Sequence, residues 1–125
     1  MAADLAGAPL SQVALVVRNL EAATAFYRDV LGVPFMFAAP NLAFFNVGGT
    51  RLMLSPPEGE FTQPGSVLYF KVPDIRATHA ELSRRGVAFR DEPHIVAPMP
   101  AYDLWMTFFK DLDGNTLALM SEVPR

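Results

Sequence analysis

The stretch Gln12-Val13-Ala14-Leu15-Val16-Val17-Arg18-Asn19-Leu20 passes from a short β-branched run, through a polar pair, into a series with helical spacing. Its first six residues read as a strand. Asn19 then stands where a helix needs a side-chain oxygen for its free N–H groups. Apolar residues recur at Leu20, Ala23, Phe26, Tyr27, Val30 and Leu31, and Gly32 followed by Val33-Pro34 ends the helix.

The same order returns downstream: strand Val67-Leu68-Tyr69-Phe70-Lys71-Val72, cap Asp74, helix Ile75 to Arg85, stop Gly86-Val87. Val72 lies 55 residues after Val17 and Asp74 lies 55 after Asn19, while Gly86 follows Gly32 by 54. A near-constant offset across strand, cap and stop marks an internal repeat. Each helix is followed by a predicted hairpin. In the first copy it runs Ala43 to Val47, Gly48-Gly49, Arg51 to Leu54; in the second, Trp105 to Phe109, Asp113-Gly114-Asn115, Leu117 to Met120. The reading is two tandem βαββ modules in one domain spanning 1–125, with module one at about 11–55, a Pro/Gly-rich linker at about 56–65 and module two at about 66–122. Gly32 to Gly49 is 17 residues but Gly86 to Gly114 is 28, so the second copy holds about eleven more, expected as a loop over Phe89 to Asp103.

Composition narrows the function classes. Hydrophobic residues make up 51% and charged residues 18% of the 125, with a mean hydropathy of +0.22, which predicts apolar surface covered by a partner copy or a ligand. A net charge of -3 and scattered arginines give no field for nucleic acid. Without cysteine there is no disulfide, thiolate nucleophile or cysteine-bound zinc, in keeping with a reducing cytoplasm. The opening residues carry Asp4 where a signal peptide carries basic residues, and no apolar run has membrane-spanning length, so no membrane partner is expected.

The motifs Leu15 to Leu20, Ala25-Phe26-Tyr27-Arg28-Asp29-Val30-Leu31-Gly32 and Lys110-Asp111-Leu112-Asp113-Gly114-Asn115, wrapped around a duplicated module, resemble the vicinal-oxygen-chelate superfamily of glyoxalases, bleomycin-resistance proteins and extradiol dioxygenases. The resemblance implies an α+β fold in which two βαββ modules curl their sheets into a cup, usually completed in a homodimer. It also implies metal ligands, His or Gln at the start of each first strand and Glu on each last strand. Those positions here hold Gln12, Val67, Met53 and Ala118, of which only Gln12 can ligate.

Strand alternation assigns Val13, Leu15, Val17, Leu68, Phe70 and Val72 to the helix side. Gln12, Ala14, Val16, Val67, Tyr69, Lys71, Arg51, Met53, Thr116, Ala118 and Met120 are left to the cup. With Trp105, Met106, Phe108, Phe109, Phe44 and Phe45 nearby, the expectation is a metal-free protein that binds an apolar or aromatic organic molecule, with Gln12, Met53, Tyr69, His94, Trp105 and Met106 as ligand contacts. No cofactor is expected. Two enzymatic alternatives stay open: a glyoxalase- or dioxygenase-type enzyme with a divalent metal relocated to Gln12, His94 and Glu122, or a metal-independent enzyme that moves a proton through Tyr69 or His94. His79 is expected on the solvent side of the second helix.

Overall fold

The computed structural model of the chain describes residues 6, 9–58 and 66–125. Part of the linker, residues 59–65, and most of the opening residues lie outside the described residues.

Asn19 caps α1 (Leu20–Ala25) as its side-chain oxygen accepts the Ala22 N–H at 3.0 Å, and Asp74 does the same for α2 (Ile75–Arg84) through Ala77 at 3.1 Å. The helix begun by α1 widens into a π-helical turn over Phe26–Val30. Gly32 (φ 76°) and Gly86 (φ 98°) then reverse the chain in the left-handed region, which a side chain with a Cβ resists.

Three strands, one more than the predicted hairpin, follow each helix. Module one orders β1 (Gln12–Val16), β2 (Phe35–Ala39), β3 (Leu42–Val47) and β4 (Thr50–Ser55) as β1-β4-β3-β2. Module two orders β5 (Leu68–Lys71), β6 (His94–Pro98), β7 (Tyr102–Lys110) and β8 (Thr116–Pro124) as β5-β8-β7-β6. The first strand of each module runs parallel to its last and the rest are antiparallel. The expected loop over Phe89 to Asp103 is therefore corrected: it contains an edge strand that pairs with β7, and His94 opens that strand. The extra residues of the second copy lengthen the lead into β6 and the β7–β8 hairpin, whose strands each have 9 residues against 6 in β3 and β4.

Register confirms the repeat. Val13 pairs with Leu52 as Leu68 pairs with Leu117, and Ala14 with Met53 as Tyr69 with Ala118. On the helix side one core runs through both modules, joining Leu15, Val17, Tyr27, Phe45, Leu52 and Leu54 to Ile75, Leu82, Phe109, Leu117 and Leu119.

The modules are pinned by a buried carboxylate. Asp111 accepts hydrogen bonds from the Tyr27 hydroxyl (2.7 Å), the Asp113 N–H (2.9 Å), the Asn115 N–H (2.8 Å) and the Asn115 side-chain amide (2.8 Å). That amide also donates to the Val16 carbonyl of β1 at 3.0 Å, and the Arg18 N–H donates to Asp113 at 2.7 Å. From the other side the Arg85 guanidinium reaches the Val30 carbonyl that ends the π-helical turn, at 3.2 Å.

Burial lifts the Tyr27 phenol far above its ordinary value of 10.0, and the Asp111 charge and hydrogen bond push the same way. A raised folded-state pKa means a contribution fully present below pH 10 and lost as pH rises beyond it, because only the unfolded chain ionises there. Stability is expected to fall above about pH 10, with Tyr27 contributing up to about 1.4 kcal/mol per pH unit. Tyr27→Phe should start about 1–3 kcal/mol less stable, since a buried acceptor loses its donor, and should show a shallower alkaline slope. Urea midpoints from pH 8 to 11 measure both.

Candidate functional site

Each sheet keeps one face free of helices. On the first sheet the pairings Phe37↔Phe44↔Met53↔Ala14 and Asn46↔Arg51↔Gln12 put these residues in two neighbouring rows on that open face. Phe37 stacks on Phe44 with centroids 4.6 Å apart, and the Arg51 guanidinium lies 5.3 Å from the Phe44 ring centre. On the second sheet the rows are Tyr69↔Ala118↔Phe108 and Lys71↔Met120↔Met106↔His94. Tyr69, half exposed, meets the edge of Phe108 at 6.2 Å, and Arg90 lies 4.8 Å over the same phenylalanine.

The segment before β6 is held to β7 by Asp91. Its carboxylate accepts from the Phe108 N–H and the Thr107 hydroxyl, both at 2.9 Å, and the Arg90 N–H donates to the Phe108 carbonyl at 2.8 Å. Burial acts to raise the Asp91 carboxyl, but the Phe108 N–H and then the Thr107 hydroxyl hold it below the ordinary carboxylate value, with help from His94 and Arg90. His94 follows with Nδ1 2.8 Å from the Glu92 carbonyl; a carbonyl only accepts, so Nδ1 carries a proton, and in the neutral ring that tautomer makes Nε2 the acceptor.

Of the expected contacts, Gln12, Met53, Tyr69, His94 and Met106 lie on open faces, the first two on one sheet and the others on the second. Trp105 does not, and its expected place in the cup is corrected. Neighbours along a strand point to opposite sides, so with Met106 on the open face Trp105 turns to the helix side, opposite the buried Ser121, where Arg76 of α2 covers the indole at 4.8 Å. His79 is corrected as well. Its side chain is 14% exposed and its ring packs 4.2 Å from Phe89, because the lead into β6 crosses α2 there.

The four positions where the family would hold a metal do not form a donor set. Val67, Met53 and Ala118 bring no hard ligand, and the Gln12 amide oxygen already accepts from Arg51 Nε at 2.8 Å while its nitrogen contacts the Met53 sulfur at 3.8 Å. The relocated set fares no better: Gln12 sits on a different sheet from His94 and Glu122, and Glu122 pairs with Lys71 at 3.1 Å. Among the described residues no cluster of three or more His, Asp or Glu is placed to hold a metal ion. Residues that sequence reasoning passed over are Arg90 and Phe37. The apolar run Phe35 to Ala39, bounded by Pro34 and Pro40, was the available signal for the strand that carries Phe37.

Residues 10–119 match the family model of the Glyoxalase/Bleomycin resistance protein/Dioxygenase superfamily, and the chain belongs to that superfamily. It is 27% identical to the uncharacterized protein YraH of Bacillus subtilis (strain 168), over 88% of this chain and 95% of that one. Among solved structures it is similar to a member of the superfamily from Sphaerobacter thermophilus DSM 20745 (28% identity, TM-score 0.76, 92% and 98% of the two chains). It is also similar to TnmS3, an antibiotic binding protein from Streptomyces sp. CB03234 (23% identity, TM-score 0.77, 95% and 99%). No helix among the described residues is long and apolar enough to cross a membrane.

Placing Trp105 in the wall under α2 predicts that Trp105→Ala lowers unfolding stability by about 2–4 kcal/mol. Ligand affinity of the folded fraction should stay within about twofold, since no contact is removed from the open face. Denaturation curves and binding isotherms of the same preparation separate the two effects; full stability with lost binding would return the indole to the cup.

Proposed function

We propose that the protein binds a small apolar or aromatic organic molecule without a metal, in a cup formed by its open sheet faces and completed by a second copy. One observation carries this reading. Met53, Val67 and Ala118 stand where a metal enzyme needs hard donors, the open faces around them present Phe37, Phe44, Tyr69, Met106, Phe108 and Met120, and the oxygens of Gln12 and Glu122 already accept from Arg51 and Lys71. Such a surface gains by covering a ligand's carbon skeleton, with few polar contacts to orient it. The similarity to an antibiotic binding protein supports the same direction.

A homodimer is proposed because both edge strands expose large apolar side chains: Phe35, Met36 and Phe37 on β2, and Ile95 and Val96 on β6, are 39–49% accessible. Uncovered apolar edges invite association. Cytoplasmic residence is proposed from the cysteine-free composition. A second reading, proton transfer by His94, is favoured by the fixed Nδ1–H, which leaves Nε2 as a base on the open face.

Protein purified without chelator should carry substoichiometric transition metal. Aromatic ligands found by screening should bind with an affinity unchanged by EDTA, and sedimentation at micromolar concentration should give a dimer. Stoichiometric zinc, iron, manganese or nickel, or binding abolished by EDTA, would overturn the metal-free reading.

A further inference from the structure

We propose that the ligand class is a planar aromatic acid and that Arg51 is its anion anchor. This rests on the cup reading above and adds a charge requirement to it.

Three observations converge. The chain is acidic overall, at -3, yet the charged groups at open-face positions are Arg51, Lys71, Arg90 and Lys110 against Glu122. Lys71 and Glu122 neutralise each other at 3.1 Å, so the surplus is two guanidinium groups, Arg51 and Arg90, and the Lys110 ammonium at the far end of β7. Neither Arg51 nor Arg90 forms an ion pair within 4.0 Å among the described residues, although six other basic side chains do.

Each of these guanidinium groups also lies against a phenylalanine at an equivalent place in the repeat: Phe44 stands to Met53 as Phe108 stands to Ala118. A guanidinium lying over a ring still presents N–H donors at its edge, in the fork that matches a carboxylate. A plane of aromatic surface beside a free fork suits a ring bearing an acid group.

The third observation is a place for the ring. Arg51 and Tyr69, from different modules and both on open faces, stand at the mouth of one crevice of about 240 Å³ between β4 and β5, whose apolar walls, Val13, Leu52, Leu68 and Phe70, belong to the helix-facing side of the strands. That volume admits one or two fused rings, with the acid group at the Arg51 end. Gln12 is then a positioning residue: by accepting from Arg51 Nε it fixes the fork, leaving the terminal Nη donors for the ligand.

Isothermal titration of the intact protein with 2-naphthoate and 2-naphthamide, two probes of the same ring size, tests the charge requirement. At low ionic strength naphthoate should bind about tenfold tighter, the scale of one charge-assisted hydrogen-bonded pair. The preference should shrink as salt is raised. Arg51→Gln should bring the ratio near one, Arg51→Lys should keep part of it, and Arg28→Gln, on the outer face of module one, should leave it unchanged. Both side chains are exposed, so the three variants are expected to fold. Equal affinity of the two probes, or a preference that survives Arg51→Gln, would overturn the acid inference while leaving the aromatic cup standing. Failure of both probes, together with a wider neutral aromatic panel, would remove the cup reading and this inference with it.

Discussion

The Asp111 carboxylate is the constraint on which the architecture depends. An anionic group out of water is costly unless its oxygens are filled with hydrogen bonds, and Asp111, 7% exposed, collects four donors drawn from both modules. Tyr27 brings the helix of module one and Asn115 brings the β7–β8 turn, passing its second amide proton to the backbone of β1. These partners can be in place together only when the modules pack through their helix sides. The core residues of both modules then merge, and the opposite sheet faces are left without a helix to cover them.

Those uncovered faces explain the choice of side chains. Where a superfamily member with a metal would converge nitrogen and oxygen donors, this chain has Met53, Val67 and Ala118, and it spends the Gln12 amide on orienting Arg51. Aromatic and thioether groups form the rest of the surface, and sulfur and π faces adapt to flat carbon skeletons. The edge strands expose Phe35, Phe37 and Ile95, the apolar rim on which the proposed pairing with a second copy rests.

The repeat was legible in the sequence because its signals are local and strong: a cap, a helical series and a positive-φ glycine recur at one offset. The edge strands were not. Phe35 to Ala39 is apolar throughout and shows no alternation, since neither side of an exposed edge is fully buried, and His94 to Pro98 lies between prolines that read as loop. Parity in β7 was equally hidden, because Leu104 to Phe109 is bulky on both sides. Ser121 opposite Trp105, with its hydroxyl donating to the Val72 carbonyl at 2.6 Å, fixes the side only once pairing is known. Gln12, Met53 and Tyr69 were assignable because β1, β4 and β5 alternate under helices. Arg90 depends on the Asp91 anchor to β7, a contact between residues 16 and 17 positions apart that periodicity does not encode.

Methionine methyl resonances offer the most direct test of the claim that the open faces are the binding surface. Met53 lies on one open face and Met106 and Met120 on the other. With selectively labelled methionine methyls, titration with an aromatic ligand such as 2-naphthoate should shift or broaden Met53, Met106 and Met120 together, saturating at a common concentration, with EDTA present throughout. Shifts confined to methionines outside these faces, or a response that requires an added divalent metal, would contradict the account.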